Sequence, residues 1–123
     1  MKNQVSDGKT VTVVASALVH PSHSDSLPHA GDPVLVGSLV GVCTESAAAS
    51  TDNLDVATEG VFKLSVTGTN QSGNSAVAFG DKLFLDGSSA VITKDSTKTE
   101  FGIALGAVDS AATAVIPVKV TGF

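Results

Sequence analysis

Three histidines and one carboxylate fall close together in the chain: His20, His23, Asp25 and His29. Imidazole and carboxylate are both zinc ligands, and a loop that folds back on itself can bring such groups to one point. Zinc loops, however, draw on Cys or on paired helical His, and this spacing matches no standard site. With Pro21 and Pro28 in the same stretch, the residues also read as a solvated, proline-shaped loop, or as a surface loop that touches a partner. The four stand as weak candidate ligands, and no metal or cofactor is expected.

The remaining reactive residue types form no catalytic set. Nucleophilic catalysis needs a Ser or Cys beside a positioned base. Gly37-Ser38-Leu39-Val40-Gly41 places its serine wrongly for a nucleophile elbow and fits a hairpin turn instead. Gly8-Lys9-Thr10 has part of a phosphate loop but leads into a strand pattern, not a helix. Asp52 with Asp55, and Asp81 with Asp86, sit at turn positions, where Asp is favoured for its local backbone bonds. The single cysteine, Cys43, follows Leu39-Val40-Gly41-Val42 and reads as a small buried hydrophobe. No enzyme activity is expected.

Composition narrows the partners. Trp, Tyr and Arg are absent, Phe is the only aromatic, and the formal charge is −5. Single-stranded nucleic acid is gripped by aromatic platforms and basic grooves, so a chain of this charge repels a phosphate backbone. Direct nucleic-acid binding is therefore excluded. No apolar run approaches the ~20 residues of a membrane helix, and the N-terminal Met1-Lys2-Asn3-Gln4-Val5-Ser6-Asp7 is too polar for a signal peptide. A soluble protein without membrane contact, made in a cytoplasm, is expected.

The elements that would carry these residues are short strands. The hydrophobic fraction is 42%, Val dominates it, and Gly recurs between apolar runs. Branched side chains pack well on a pleated surface, and Gly serves the turns. Lys9 to Ala15 alternates as one strand. Residues 19–31 form a long loop. Val34–Val36 and Leu39–Cys43 flank Gly-Ser as a hairpin. Residues 44–53 read as a loose connection or a short helical turn. Val56–Val66 reads as one strand, with Phe62, Leu64 and Val66 on one face and Val61, Lys63 and Ser65 on the other. Residues 68–75 form a polar turn, and Asn70-Gln71-Ser72 is a glycosylation sequon by coincidence. Further strands are expected at Lys82–Leu85, Ala90–Thr93, Phe101–Val108 and Ala114–Val120. Pro117 lacks a ladder donor, which places the last strand at an edge or marks a bulge. Gly31-Asp32 followed by Gly41, and Gly80-Asp81 followed by Gly102, form a weak echo. The reading is two similar halves of one small β-barrel or sandwich, mainly β, of short antiparallel strands with long loops. An extended arm at residues 1–8 precedes a single domain at 9–123.

Four segments in order carry a resemblance: Gly31-Asp32-Pro33-Val34-Leu35-Val36-Gly37, Val56-Ala57-Thr58-Glu59-Gly60-Val61-Phe62, Gly80-Asp81-Lys82-Leu83-Phe84 and Phe101-Gly102-Ile103-Ala104-Leu105. With the Lys2-Asn3 opening and the valine-rich last strand, the chain resembles the small bacteriophage capsid cement (head decoration) proteins. The His20 to His29 loop and the 68–75 turn are longer than the resemblance leads one to expect. The resemblance implies a non-enzymatic virion protein on the outer capsid surface, assembled in the bacterial host cytoplasm. It implies two partners, the phage major capsid protein and further copies of itself, as a homotrimer. Lys2, Asn3, Gln4 and Val5 of the arm and Val118 and Val120 of the last strand are the candidate contacts, through strand addition. Two other readings stand beside it: a tail or baseplate β-domain, and a small ligand- or metal-binding β-barrel.

Overall fold

A computed structural model describes residues 10–121. The elements in chain order are β1 (Thr10–Val14), a 3-10 turn (Ala15–Ala17), β2 (Pro33–Val36), β3 (Leu39–Cys43), β4 (Asn53–Ala57), β5 (Gly60–Thr67), β6 (Thr69–Asn70), β7 (Gly73–Asn74), β8 (Lys82–Leu85), β9 (Ile92–Thr93), β10 (Thr99–Ala104) and β11 (Thr113–Val120). The protein is mainly β, as its Val-rich, Gly-punctuated sequence requires. The expected arm at residues 1–8 lies outside the described residues.

Two sheets form. One is open, in the order β1-β4-β3-β2, and the other is a closed barrel, β10-β11-β5-β9-β8. The barrel is held shut between β5 and β9 by a single parallel pairing, Val66 with Ile92. Reading the barrel as β5-β11-β10-β8 gives the same order as β1-β4-β3-β2. The halves foreshadowed by the Gly-Asp echo are therefore two copies of one four-stranded unit.

The equivalence extends to individual bonds. Gly31 N–H donates to Cys43 O at 2.7 Å and Cys43 N–H to Asp32 O at 2.9 Å; Gly80 donates to Ala104 and Ala104 to Asp81 at the same two distances. Each aspartate Oδ2 accepts the N–H three residues back, His29 for Asp32 and Ala78 for Asp81, both at 2.8 Å. Both glycines are left-handed, at φ 89° and 93°, which a side chain rarely tolerates. Thr44 N–H bonds Asp55 O, and its counterpart Leu105 bonds Pro117 O. Register then pairs Val11 with Phe62, Thr12 with Lys63 and Val13 with Leu64 across the halves.

Packing follows the same logic. The inward residues of the first unit, among them Val34, Cys43, Leu54 and Val56, form their own cluster with Ala15 and Leu18. Their counterparts Leu83, Ala104, Ile116 and Val118 lie in the barrel core around Phe101. The outer face of the β2–β3 hairpin, Leu35, Val40 and Val42, is also buried, because it packs into the barrel's cluster and joins the halves.

Some boundaries differ from the sequence reading. Val56–Val66 is two strands, since the chain leaves one sheet after Ala57 and joins the other at Gly60; Gly60 at φ 130° makes that step. On β5, Phe62, Leu64 and Val66 face inward and Val61, Lys63 and Ser65 outward, as alternation requires. Residues 44–52 contain turns and no helix. Phe101–Val108 stops as a strand at Ala104. β11 is not an edge strand: β5 pairs with all eight of its residues, and β10 with Val118 to Val120. Pro117 sits where the β10 ladder ends. Its carbonyl accepts Leu105 N–H, so its missing donor faces the end of that ladder. The register shift lies instead on β10, between Glu100 and Gly102.

Candidate functional site

The histidine loop folds into a compact cluster. The His23 and His29 rings stack with centroids 3.8 Å apart and 2° between planes, and His20 lies 6.2 Å from His23. His23 Nε2 donates to Asp32 Oδ2 at 2.7 Å, and His29 Nε2 to Asp25 Oδ2 at 2.9 Å. His20 Nδ1 donates to the Pro21 carbonyl at 2.7 Å. The Leu27 N–H, and then His29, hold the Asp25 carboxyl below its ordinary range. Stacked imidazoles point their nitrogens along parallel planes, and each ring spends one nitrogen on its own acceptor. His20, His23, Asp25 and His29 thus come together without a common focus. Among the described residues no three His, Cys, Asp or Glu side chains could hold a metal ion.

The bond of His23 to Asp32 is structural in character. In the barrel half, Lys94 Nζ takes the equivalent place 3.2 Å from Asp81 Oδ2. The Ala78 N–H and that ammonium together lower the Asp81 pKa. Of the other paired carboxylates, Asp52 is committed to a turn, whereas Asp55 lies on β4 and not at the expected turn, because its strand pairs with β1. Asp52 Oδ2 accepts Ala48 N–H at 2.8 Å and Ala49 N–H at 3.1 Å, and Asp55 Oδ1 accepts the Thr12 hydroxyl at 2.9 Å. Cys43 is 1% exposed. Burial raises its thiol pKa, and the thiol lies 3.1 Å from Glu45 O, to which it donates.

Among the described residues, two backbone edges lack a strand partner. Asp55 turns its peptide groups to β3, since its carbonyl takes Thr44 N–H. In an antiparallel ladder the opposite residue, Thr12, then turns its own groups away from β4. Among the described residues the outer side of β1 has no strand partner, and in the sequence β1 directly follows residues 1–9. By the same argument Lys63, opposite Pro117, points its backbone outward from β5, where β9 reaches only Val66. That stretch of β5 borders a groove of about 370 Å³ between the halves, lined by Gly31, Asp32 and Pro33 on one side and by Lys63, Ser65 and Val91 on the other.

Val118 and Val120 do not offer contacts. Both side chains are in the barrel core, at 0% and 1% exposure, and both residues are paired on two sides. The pattern Val-x-Val signalled a strand but not which face was covered. Lys2, Asn3, Gln4 and Val5 lie outside the described residues. Thr10 to Val14 alternates like a paired strand, so the sequence does not mark β1 as an edge among the described residues. Comparison with known proteins adds one match: a family model described as phage cement protein covers residues 5–120. No curated protein and no solved structure matches the chain.

Proposed function

The chain belongs to the phage cement protein family, and from that premise we propose that it decorates the outer surface of an expanded phage head and stiffens the capsid lattice. The family match over residues 5–120 carries the reading. Its partners are the major capsid protein and further copies of itself, as a homotrimer, and its place is the outside of the virion. Lys2, Asn3, Gln4 and Val5 bind the capsid as an arm that adds backbone bonds. Strand addition by the arm needs no Trp, Tyr or Arg anchor, and the chain has none of the three, which supports this role. Many weak copies acting together supply the grip.

The test is to mix the purified protein with expanded heads that lack it and with unexpanded heads, then pellet the particles. Saturable binding to expanded heads at a fixed ratio to the capsid subunit, with a higher disruption temperature, is expected. Failure to bind expanded heads overturns the reading. Truncation of residues 1–8 without loss of binding overturns the role of the arm.

A further inference from the structure

The two units of the chain meet through one face. On the first unit this is the outer side of the β2–β3 hairpin, where Leu35 and Val42 are 4% and 1% exposed. They are covered because the second unit packs on them. The duplicated unit carries the same face again. Phe84 stands where Leu35 does, and Ile103 where Val42 does. Both are only half-buried, although each is as apolar as its counterpart. Phe79, which precedes the Gly80 that bonds Ala104, is 73% exposed. The receiving side is duplicated as well. Around the groove Pro33 of the first unit faces Lys63 of β5. Thr12 on the open edge of β1 is the counterpart of Lys63, with half-buried Val11 and Val13 beside it.

Among the described residues, each chain therefore has one used and one unused copy of both halves of a contact. We infer that a second copy of this chain occupies the unused pair, with the Phe84–Ile103 face of one copy seated on the β1 edge of the next. The contact repeats one that already holds the chain together, so its complementarity is built into the duplication. It is heterologous, and copies joined this way close into a ring or run on as a filament. Glu100 replaces Val40 at the centre of the face and forms a long ion pair with Lys82 at 3.8 Å. A polar centre makes the contact between copies weaker and more reversible than the one within the chain. This inference rests on the self-association proposed above, and it names the surfaces.

Lys82 is the counterpart of Pro33, so Lys82 of one copy should face Thr12 of the next across an equivalent groove. Both residues are exposed, and Cys43 is buried. Full-length Lys82→Cys and Thr12→Cys proteins are treated with a short bismaleimide, separately and mixed. The mixture should give at least roughly tenfold more cross-linked dimer than either variant alone, because contact raises the effective thiol concentration. The double variant should give closed rings or ladders. Equal yields in all three samples, or none, overturn the inference. Because the readout is a cross-link in solution, it is independent of capsid binding. Decoration of heads without this cross-link refutes the contact alone, whereas the cross-link without decoration refutes the capsid reading alone.

Discussion

Gly102 is where β10 and β11 come closest, and it offers the sharpest test of the fold. A Cβ built there lies 2.3 Å from the Lys119 carbonyl oxygen. An ordinary C···O contact needs about 3.3 Å, so Gly102→Ala forces the strands apart by about 1 Å. The obstacle is backbone at the first pair of a ladder, Gly102 with Val120 and then Ile103 with Lys119, and no side chain can swing away. Overpacking of this kind costs about 1–3 kcal/mol, and a strained or lost ladder bond adds about 1 kcal/mol. The backbone there is not left-handed, so alanine also recovers about 0.4–1 kcal/mol by restricting the unfolded chain. The net loss is about 2–3 kcal/mol, a large share of the ~5–15 kcal/mol that holds a typical domain.

Urea unfolding followed by far-UV circular dichroism measures this directly, with a lower midpoint at an unchanged slope as the expected result. Gly41→Ala should behave alike, since its Cβ would lie 2.5 Å from the Ala57 carbonyl oxygen at the matching place in the first unit. Gly87→Ala meets nothing within 4 Å and should stay within about 0.5 kcal/mol of the parent. If Gly102→Ala and Gly87→Ala unfold at the same urea concentration, the close approach is wrong, and the register that creates it falls too.

Other outcomes follow from single residues. Phe101 is fully buried at the centre of the barrel, so Phe101→Ala should destabilise by about 3–5 kcal/mol in the same urea assay. The carboxyl of Asp86 is drawn from 3.8 down to about 2 by the Ser88 N–H and hydroxyl, with the Ser89 N–H and Lys98 assisting. Because the folded pKa is the lower one, this stabilisation is complete above the unfolded value and is lost as pH falls toward the folded one. Asp86→Asn should therefore flatten the acid limb of the urea midpoint between about pH 4 and pH 2. The Cys43 thiol, buried and raised in pKa, should react with a thiol reagent only after unfolding; immediate labelling of the native protein would contradict its burial.

Where physical signals were local, the sequence was legible. The Gly37-Ser38 hairpin, the alternation on β5 and the paired Gly-Asp turns each depend on bonds between near neighbours. Reading failed where the deciding partner was distant. Nothing in Val56 to Val66 marks a change of sheet except Gly60, since Thr58 and Glu59 keep a strand-like pattern. Val118 and Val120 were legible as strand residues, but only β10 and β5 together decide that both their sides are occupied. The histidine cluster was legible as a group. Its stacking and its separate carboxylates were not, because they depend on how residues 19–31 fold back toward Asp32.

The difference between the two units comes down to a connection length. In the second unit the chain between β8 and β10 is long enough to turn back and place β9 against both β8 and β5. In the first unit the corresponding strands are joined by Gly37-Ser38 alone, and no such strand can form. The lip of β2 is covered instead by Val19, from the preceding loop, which exchanges two backbone bonds with Leu35 at 2.8 and 3.1 Å. That is the position where Thr93 meets Phe84 in the barrel. Val19 covers β2, but among the described residues no strand pairs with the outer side of β1, which the short turn elsewhere in the unit leaves uncovered. A free edge is ordinarily a liability that proteins blunt with charge or cover. This one carries Thr10, Thr12 and Val14 without a charge among them. An edge left unguarded in this way, in a unit whose twin is closed, is the surface expected to receive the next copy.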